Sequence, residues 1–404
     1  MSDEFDVDAL LEGIMMPERP TLKGLFEKKL KELDMSATTA YEVMGMNYRA
    51  VNKILSGSQK LLDISSIPNL AAFLEISEEE VIKLCLDAVK KNAPTSTSIS
   101  SKKIKLIKES FDLVVLKKAG VIDSLKDFEH IEKRLNARLG LKSILEYRKP
   151  TVDIAFSSGS FKPENDRNRA FWIKAAMACF EEIDNPNEYS KAALIELFPR
   201  IRWYTMNVER GLTEVIRQLY KLGITVVFQP PLLTLQLRGA TFNHNNKPCI
   251  VLSDFVGFYP TLWFALVHEL SHVLFDWEEI KEGKYHLSDD KNETLTVRER
   301  EKEADRFTRN YLFSIEKTNK IRPYLSDAKY VEEFARDNHV HPSFIYVFNA
   351  RDVGETDRMA WARARRLAPP TLTKQALEVI DLPWEEENPA VEEILHKYKS
   401  DVYI

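Results

Sequence analysis

Thr261-Leu-Trp-Phe-Ala-Leu-Val-His268-Glu269-Leu-Ser-His272-Val-Leu-Phe275 reads as one helix, because Pro260 and Thr261 supply a start signal and no glycine or proline follows until Gly283. Histidines four residues apart lie one turn above each other, so both imidazoles can reach a single ion. Glu269 sits beside His268, within reach of water polarised by that ion but turned too far round the helix to complete the ligand pair. Two ligands and a carboxylate that takes a proton from water form the H-E-x-x-H arrangement of zinc hydrolysis. The helix is apolar nearly all round (Leu262, Phe264, Leu266, Val267, Leu270, Val273, Leu274), which places it in a core. Two histidines and a glutamate there incur a desolvation cost that a metal relieves, and this weighs against incidental core histidines.

Upstream, Ile224-Thr-Val-Val-Phe-Gln-Pro-Pro231 is a β-branched run that follows Gly223 and reads as a buried strand. Arg238–Asn243 and Pro248–Ser253 bracket the polar turn His244-Asn-Asn-Lys247 and form a hairpin. Strand, hairpin and metal helix build a cleft, and an exposed sheet edge beside the metal would let an extended peptide add as a further strand.

Catalytic zinc needs a third protein ligand and an open position for water. The candidate region is the charged helix Val297-Arg-Glu-Arg-Glu-Lys-Glu303-Ala304-Asp305-Arg-Phe307, continuing to Tyr311 and Leu312. Its apolar stripe runs through Val297, Ala304, Phe307 and Tyr311; Glu299 and Asp305 point away from it, while Glu301 and Glu303 flank it on opposite sides. Periodicity does not choose between those two. His286, His339 and His341 lie downstream but read as surface histidines, and His130, His244 and His396 have no motif around them.

Gly223-Ile-x-Val-Val, Gly239-Ala240, Pro248-x-Ile-x-Leu, His268-Glu-Leu-Ser-His272 and Glu303-Ala-Asp-x-Phe307 together resemble the ImmA/IrrE family of intracellular zinc metallopeptidases over about residues 150–350. The family's second motif, Glu-Ala-Asn/Asp-x-Phe, carries the third ligand and maps onto Glu303, 31 residues after His272. The resemblance therefore implies Zn2+ on His268, His272 and Glu303, with Glu269 as the catalytic base. It also implies proteolysis of a transcriptional repressor or a stress-regulated switch.

Residues 1–19 are acidic and expected to be loose, and helical periodicity begins at Thr21. Ser36–Gly57 reads as a short helix, a glycine turn at Gly45, and a second helix capped by Asn47 and stopped by Gly57. With two further short helices, residues 20–90 resemble the helix-turn-helix domain of the Xre family. The resemblance implies a recognition helix that presents Asn47, Tyr48, Arg49, Asn52 and Lys53 to DNA. Tyr41 departs from that family, which usually has a small residue in the helix–helix contact. Repressor-like and peptidase-like segments in one chain resemble the long antitoxin-like regulators of the HigA type.

Residues 91–103 are Ser/Thr-rich and read as a linker. Beyond it a helical connecting region over 104–222, a metallopeptidase core over 223–350 and a helical extension over 351–404 are expected, with Thr151–Pro163 a loop. The expected fold class is mainly α, with a small α+β zincin-like metallopeptidase domain and an N-terminal all-α helix-turn-helix bundle. Arg358–Leu367 is basic and amphipathic, with Trp361 expected to pack inward.

The 404 residues, 44% hydrophobic and 29% charged, are ordinary for a globular protein, and a net charge of −5 excludes a broadly basic nucleic-acid wrapper. Three widely spaced cysteines fit reduced intracellular thiols. Without a signal segment or a run of about 18 apolar residues, the expected location is cytoplasmic and no membrane partner is expected. The expected function is a zinc-dependent endopeptidase coupled to a DNA-binding domain, acting on a repressor or toxin partner, with a homodimer among its assemblies. The alternative is a HigA-type antitoxin or repressor whose peptidase-like domain binds metal or a partner without turnover.

Overall fold

A computed structural model describes residues 20–59, 63–92, 99–150, 155–158, 166–232, 235–282, 297–384 and 399–403. The acidic start of the chain, His286 and His396 lie outside the described residues. The chain is mainly helical with one small sheet and divides into two compact units, Met1–Ser98 and Ile99–Ile404. Their boundary falls inside the polar segment 91–103. The helices reach further into that segment than composition implies, ending at Asn92 and resuming at Ser101.

The first unit is built from α1 (Leu22–Glu32), α2 (Ala37–Val43), α3 (Tyr48–Ser56), α4 (Ser66–Leu74) and α5 (Glu78–Asn92). Side-chain caps set three of the starts: Thr21 accepts from Gly24, Ser36 from Thr39 and Asn47 from Arg49. The buried stripe of α3 is Val51, Ile54 and Leu55, and the helix stops at Gly57, whose φ is +66°. Gly57 N–H and Ser58 N–H donate to the carbonyls of Ile54 and Lys53, closing the last turn. Tyr41 is buried and stacks on Phe26 with ring centroids 5.9 Å apart, so the large residue in the helix contact fills core space.

In the second unit, α6 (Ser101–Ser110), α7 (Leu113–Lys118), α8 (Phe128–Leu139), α9 (Asp166–Ile183), α10 (Lys191–Ile201) and α11 (Gly211–Lys221) precede or flank a four-stranded sheet. Its strands are β1 (Ala155–Ser158), β2 (Thr225–Phe228), β3 (Leu237–His244) and β4 (Lys247–Leu252), in the order β1-β3-β4-β2. β2 runs parallel to β4, and the other pairings are antiparallel. Asn245 and Asn246 join β3 to β4 with φ of 51° and 60°, the doubly left-handed turn that matches strand twist.

The helix that carries His268 and His272 is α12 (Tyr259–Phe275), and every residue from Tyr259 to Leu274 except Thr261 is buried. After it come α13 (Trp277–Lys281), α14 (Val297–Phe313), α15 (Ile315–Ile321), α16 (Ala328–Asp337), α17 (Ser343–Val353), α18 (Ala360–Leu367) and α19 (Pro370–Leu377). The segments that the sequence separates at 222 and 350 do not form separate cores. One core runs from Ile107 through β2–β4 and α12 to Trp384, Val402 and Tyr403. Tyr403 Oη donates to the Val226 carbonyl at 2.7 Å, which ties the segment Lys399–Tyr403 to β2.

Two readings change. Within Thr151–Pro163, residues 155–158 form strand β1 instead of loop, paired along β3. Trp361 packs only partly inward: it leans on Phe258 at 5.8 Å and stays 39% exposed, while Ala360 and Ala364 face the core.

Gly57 supplies a test of the first unit. A Cβ there would lie 2.3 Å from the Ala88 backbone, whereas one on Gly45, also left-handed, meets nothing within 4 Å. Gly45→Ala is expected to cost about 1 kcal/mol of conformational strain, and Gly57→Ala at least about 2 kcal/mol because α5 must also move. Amide hydrogen exchange over Leu22–Asn92 in the full chain reads both, and equal losses would contradict the close approach of α3 and α5.

Candidate metal centre

His268 and His272 stand on consecutive turns of α12 and are 2% and 0% exposed. Their Nε2 atoms lie 3.2 Å apart. Across from them α14 contributes Glu301, with Oε2 3.1 Å from His268 Nε2 and Oε1 3.3 Å from His272 Nε2. One atom from each of the three residues lies within 4.8 Å of the other two, a donor set able to hold a metal ion.

The carboxylate facing the histidines is therefore Glu301, and the assignment of Glu303 is corrected. Glu303 is half-exposed on the opposite flank of α14 from Glu301, lining a cavity with Phe275 and Asp276, and it pairs with Arg306 at 3.5 Å. The cause lies in which residues of α14 the core accepts. Arg300, Ala304, Thr308 and Leu312 are buried, whereas Phe307 and Tyr311 sit at the rim against Phe198. A stripe drawn through Phe307 and Tyr311 is rotated off the true axis. Two helical positions separate Glu301 from Glu303, about 200° of rotation.

Asp305 was also expected to point away, and it does not. It lies one turn after Glu301, and its Oδ1 accepts from His268 Nδ1 at 3.1 Å. Asp276, four residues after His272, accepts from that ring's Nδ1 at 2.7 Å. Each imidazole thus has a carboxylate on Nδ1, which fixes the ring and leaves Nε2 turned toward the shared centre. The i,i+4 spacing of Asp276 to His272 was a readable signal that sequence reasoning passed over.

Glu269 is fully buried against β3. Thr241 Oγ1 donates to its Oε2 at 2.7 Å, while Oε1 has no hydrogen-bond partner among the described residues. Gly239 makes this fit possible, since a Cβ there would come within 2.8 Å of Glu269 Oε1. Burial raises the Glu269 pKa, with the two imidazoles pulling the other way. Burial also works against charge on His272, yet hydrogen bonds to Asp276 and Glu301 outweigh it and hold the ring up at about 10. The same contacts overcome burial at Glu301 and depress it to about 2. An ion entering this centre replaces protons on the imidazoles.

The β3 edge is not free, and β1 becomes the terminal strand on that side. β1 pairs along β3 with Ser157 opposite Gly239, so four residues of the chain itself occupy the place expected for an added strand. Local sequence hides this because Ala-Phe-Ser-Ser becomes a strand only through a partner some 80 positions away.

Among the described residues the other histidines stay apart from the centre: His339 lies tilted against Trp203, His341 bonds Ser343, His130 meets Asp123 and His244 meets Asn245. In the first unit Asn47, Tyr48, Arg49 and Lys53 are exposed and Asn52 is half-buried. The side-chain Oδ1 of Asn47 is committed to the Arg49 N–H at 2.8 Å, which makes its first role the helix cap. Cys85, Cys179 and Cys249 form no disulfide.

Compared with protein-family models, with curated proteins and with solved structures, the chain finds no match.

Substitution separates the two glutamates. Protein purified without added zinc is expected to retain about one equivalent of metal, and His268→Ala and Glu301→Gln are expected to lose most of it, while Glu303→Gln keeps it. Elemental analysis of the four proteins decides, and loss with Glu303→Gln but not with Glu301→Gln would reverse the assignment.

Proposed function

We propose that the chain is a cytoplasmic zinc-dependent metallo-endopeptidase of the ImmA/IrrE kind, joined to a DNA-binding helix-turn-helix domain and acting on a repressor or toxin partner. The observation that carries this reading is the fully buried Glu269, one oxygen held by Thr241 and the other without a partner, beside His268, His272 and Glu301. A buried carboxylate oxygen left without a partner is costly, and a zincin-like site explains its retention. The donors fit zinc, since two imidazoles and one carboxylate are a known catalytic ligand set.

When bound, zinc supplies Lewis acidity: it makes water acidic near neutral pH and polarises a carbonyl. The chain's own residues do the rest. His268, His272 and Glu301 provide the grip, and Asp305 and Asp276 orient the rings through Nδ1. Glu269 Oε1 takes the proton of the attacking water and delivers it to the leaving amine. Its raised pKa suits a group that must both accept and return a proton. Thr241 holds the other oxygen, Oε2, and Gly239 leaves room for Oε1.

The pairing of β1 along β3 favours a second reading. A peptide cannot add to β3 while β1 is there and would have to use the outer edge of β1, whereas a regulator that binds metal or a partner without turnover needs neither edge.

Glu269→Gln distinguishes the two. On the first reading it keeps its zinc and loses at least about 100-fold in cleavage of a repressor encoded beside the gene, the usual worth of a general base. Equal cleavage by parent and variant would remove Glu269 from the chemistry, and silence from a zinc-loaded parent would favour the regulator. For the first unit, Arg49→Ala with Lys53→Ala is expected to weaken DNA binding and to lower its salt dependence by about two phosphate contacts, read from binding across a salt series. Absence of binding by the parent at low salt would leave a protein-contact role for that unit.

A further inference from the structure

Arg238 is the residue of β3 that the sheet leaves over. Gly239 stands opposite Ser157 and Leu237 opposite Ser158, so the register shifts at Arg238 and the residue has no counterpart on β1. A bulge turns its side chain out of the regular alternation, and such bulges re-aim side chains beside active sites. Its backbone is pinned by Ser253 N–H, which donates to the Arg238 carbonyl at 2.8 Å.

The Arg238 guanidinium is half-buried, with no hydrogen-bond or ion-pair partner among the described residues. Burial works against its charge, repulsion from Arg351 adds to this, and only Asp305 offsets them. Arg351 comes from α17, lies over the Phe264 ring at 4.5 Å and reaches Asp305 Oδ2 at 3.7 Å. The other oxygen of Asp305 already accepts from His268 at 3.1 Å. One carboxylate thus serves an imidazole and two guanidiniums. A partly desolvated cation whose counter-charge is shared with two other groups is costly, and an incoming anion lowers that cost.

We propose that Arg238 and Arg351 form an anion subsite next to the metal centre that receives a carboxylate of the bound peptide, either an acidic side chain or the chain terminus. Planar guanidiniums pair with carboxylates through two parallel hydrogen bonds, which makes the subsite selective for that group. The inference rests on the metallopeptidase reading of the centre and adds a substrate preference to it: peptides bearing a carboxylate at one fixed distance from the metal.

Equilibrium binding of hydroxamates, which grip a catalytic metal, tests the subsite without turnover. The probes are neutral acetohydroxamate and alkyl hydroxamates of increasing length ending in a carboxylate or in the matching amide. On the zinc-loaded full chain, one length is expected to bind about tenfold or more tighter as the carboxylate than as the amide. Arg238→Gln and, independently, the more exposed Arg351→Gln should abolish that advantage while leaving zinc content and acetohydroxamate affinity unchanged. Peptidyl hydroxamates ending in a free carboxylate or in an amidated glutamate then separate the two sources. If zinc and acetohydroxamate bind but no length favours the carboxylate, the anion subsite is refuted and the metal centre stands. A parent that binds neither zinc nor acetohydroxamate overturns the metallopeptidase reading itself, and the subsite with it.

Discussion

Three ionisable side chains on one buried helix constrain the rest of the second unit. His268, Glu269 and His272 are at most 2% exposed, on a helix whose other faces are apolar. Groups that strip so badly from water must be answered by polar partners from neighbouring elements. α14 answers with Glu301 and Asp305, the end of α12 with Asp276, and β3 with Thr241. Gly239 belongs to the same answer, because only a residue without a side chain lets β3 approach the Glu269 carboxylate so closely. Removing any one of these partners leaves a polar group stranded in the core.

The parts of this arrangement fixed by neighbours in sequence could be read in advance. Helix α12 follows from its apolar run, α3 from the Asn47 cap and the Gly57 stop, and the hairpin from its Asn-Asn turn. The glutamate that faces the histidines could not be read from spacing, since two candidates flanked the stripe. The motif resemblance then pointed to Glu303, which faces away from the histidines. The choice depends on the rotation of α14 against α12, and that is set by Thr308 and Leu312 entering the core while Phe307 and Tyr311 stop at its rim. A helix with an amphipathic pattern blurred by charges on every side carries too little signal to fix that angle.

Long-range pairings were hidden for a different reason. β1 is four residues long and its identity as a strand comes from β3. Tyr403 stacks on Tyr220 at 4.1 Å and bonds the Val226 carbonyl, while Trp384 packs on Phe171. These contacts draw the C-terminal residues into the core that holds β2 and α9, although sequence separates them by more than 150 positions. Boundaries placed at the Gly223 helix stop and at the end of the motif resemblance near 350 therefore cut through one folding unit, because shared burial leaves no mark in local sequence.

The two helices of the metal centre carry matching periods. His268 and His272 are four apart on α12, and Glu301 and Asp305 are four apart on α14, so a single facing of the helices brings all four groups together. Within that facing the carboxylates divide the work. Glu301 bridges both Nε2 atoms, whereas Asp305 and Asp276 take the Nδ1 hydrogens. A proton on each Nδ1 leaves each Nε2 with a lone pair, and those lone pairs converge with Glu301 on one point. The convergence needs a cation to be favourable, since two imidazole lone pairs and a carboxylate otherwise repel. Protons on the rings meet that need in the free protein. A divalent ion meets it with more charge at a single position, and the Nδ1 carboxylates make the ligands more basic toward it.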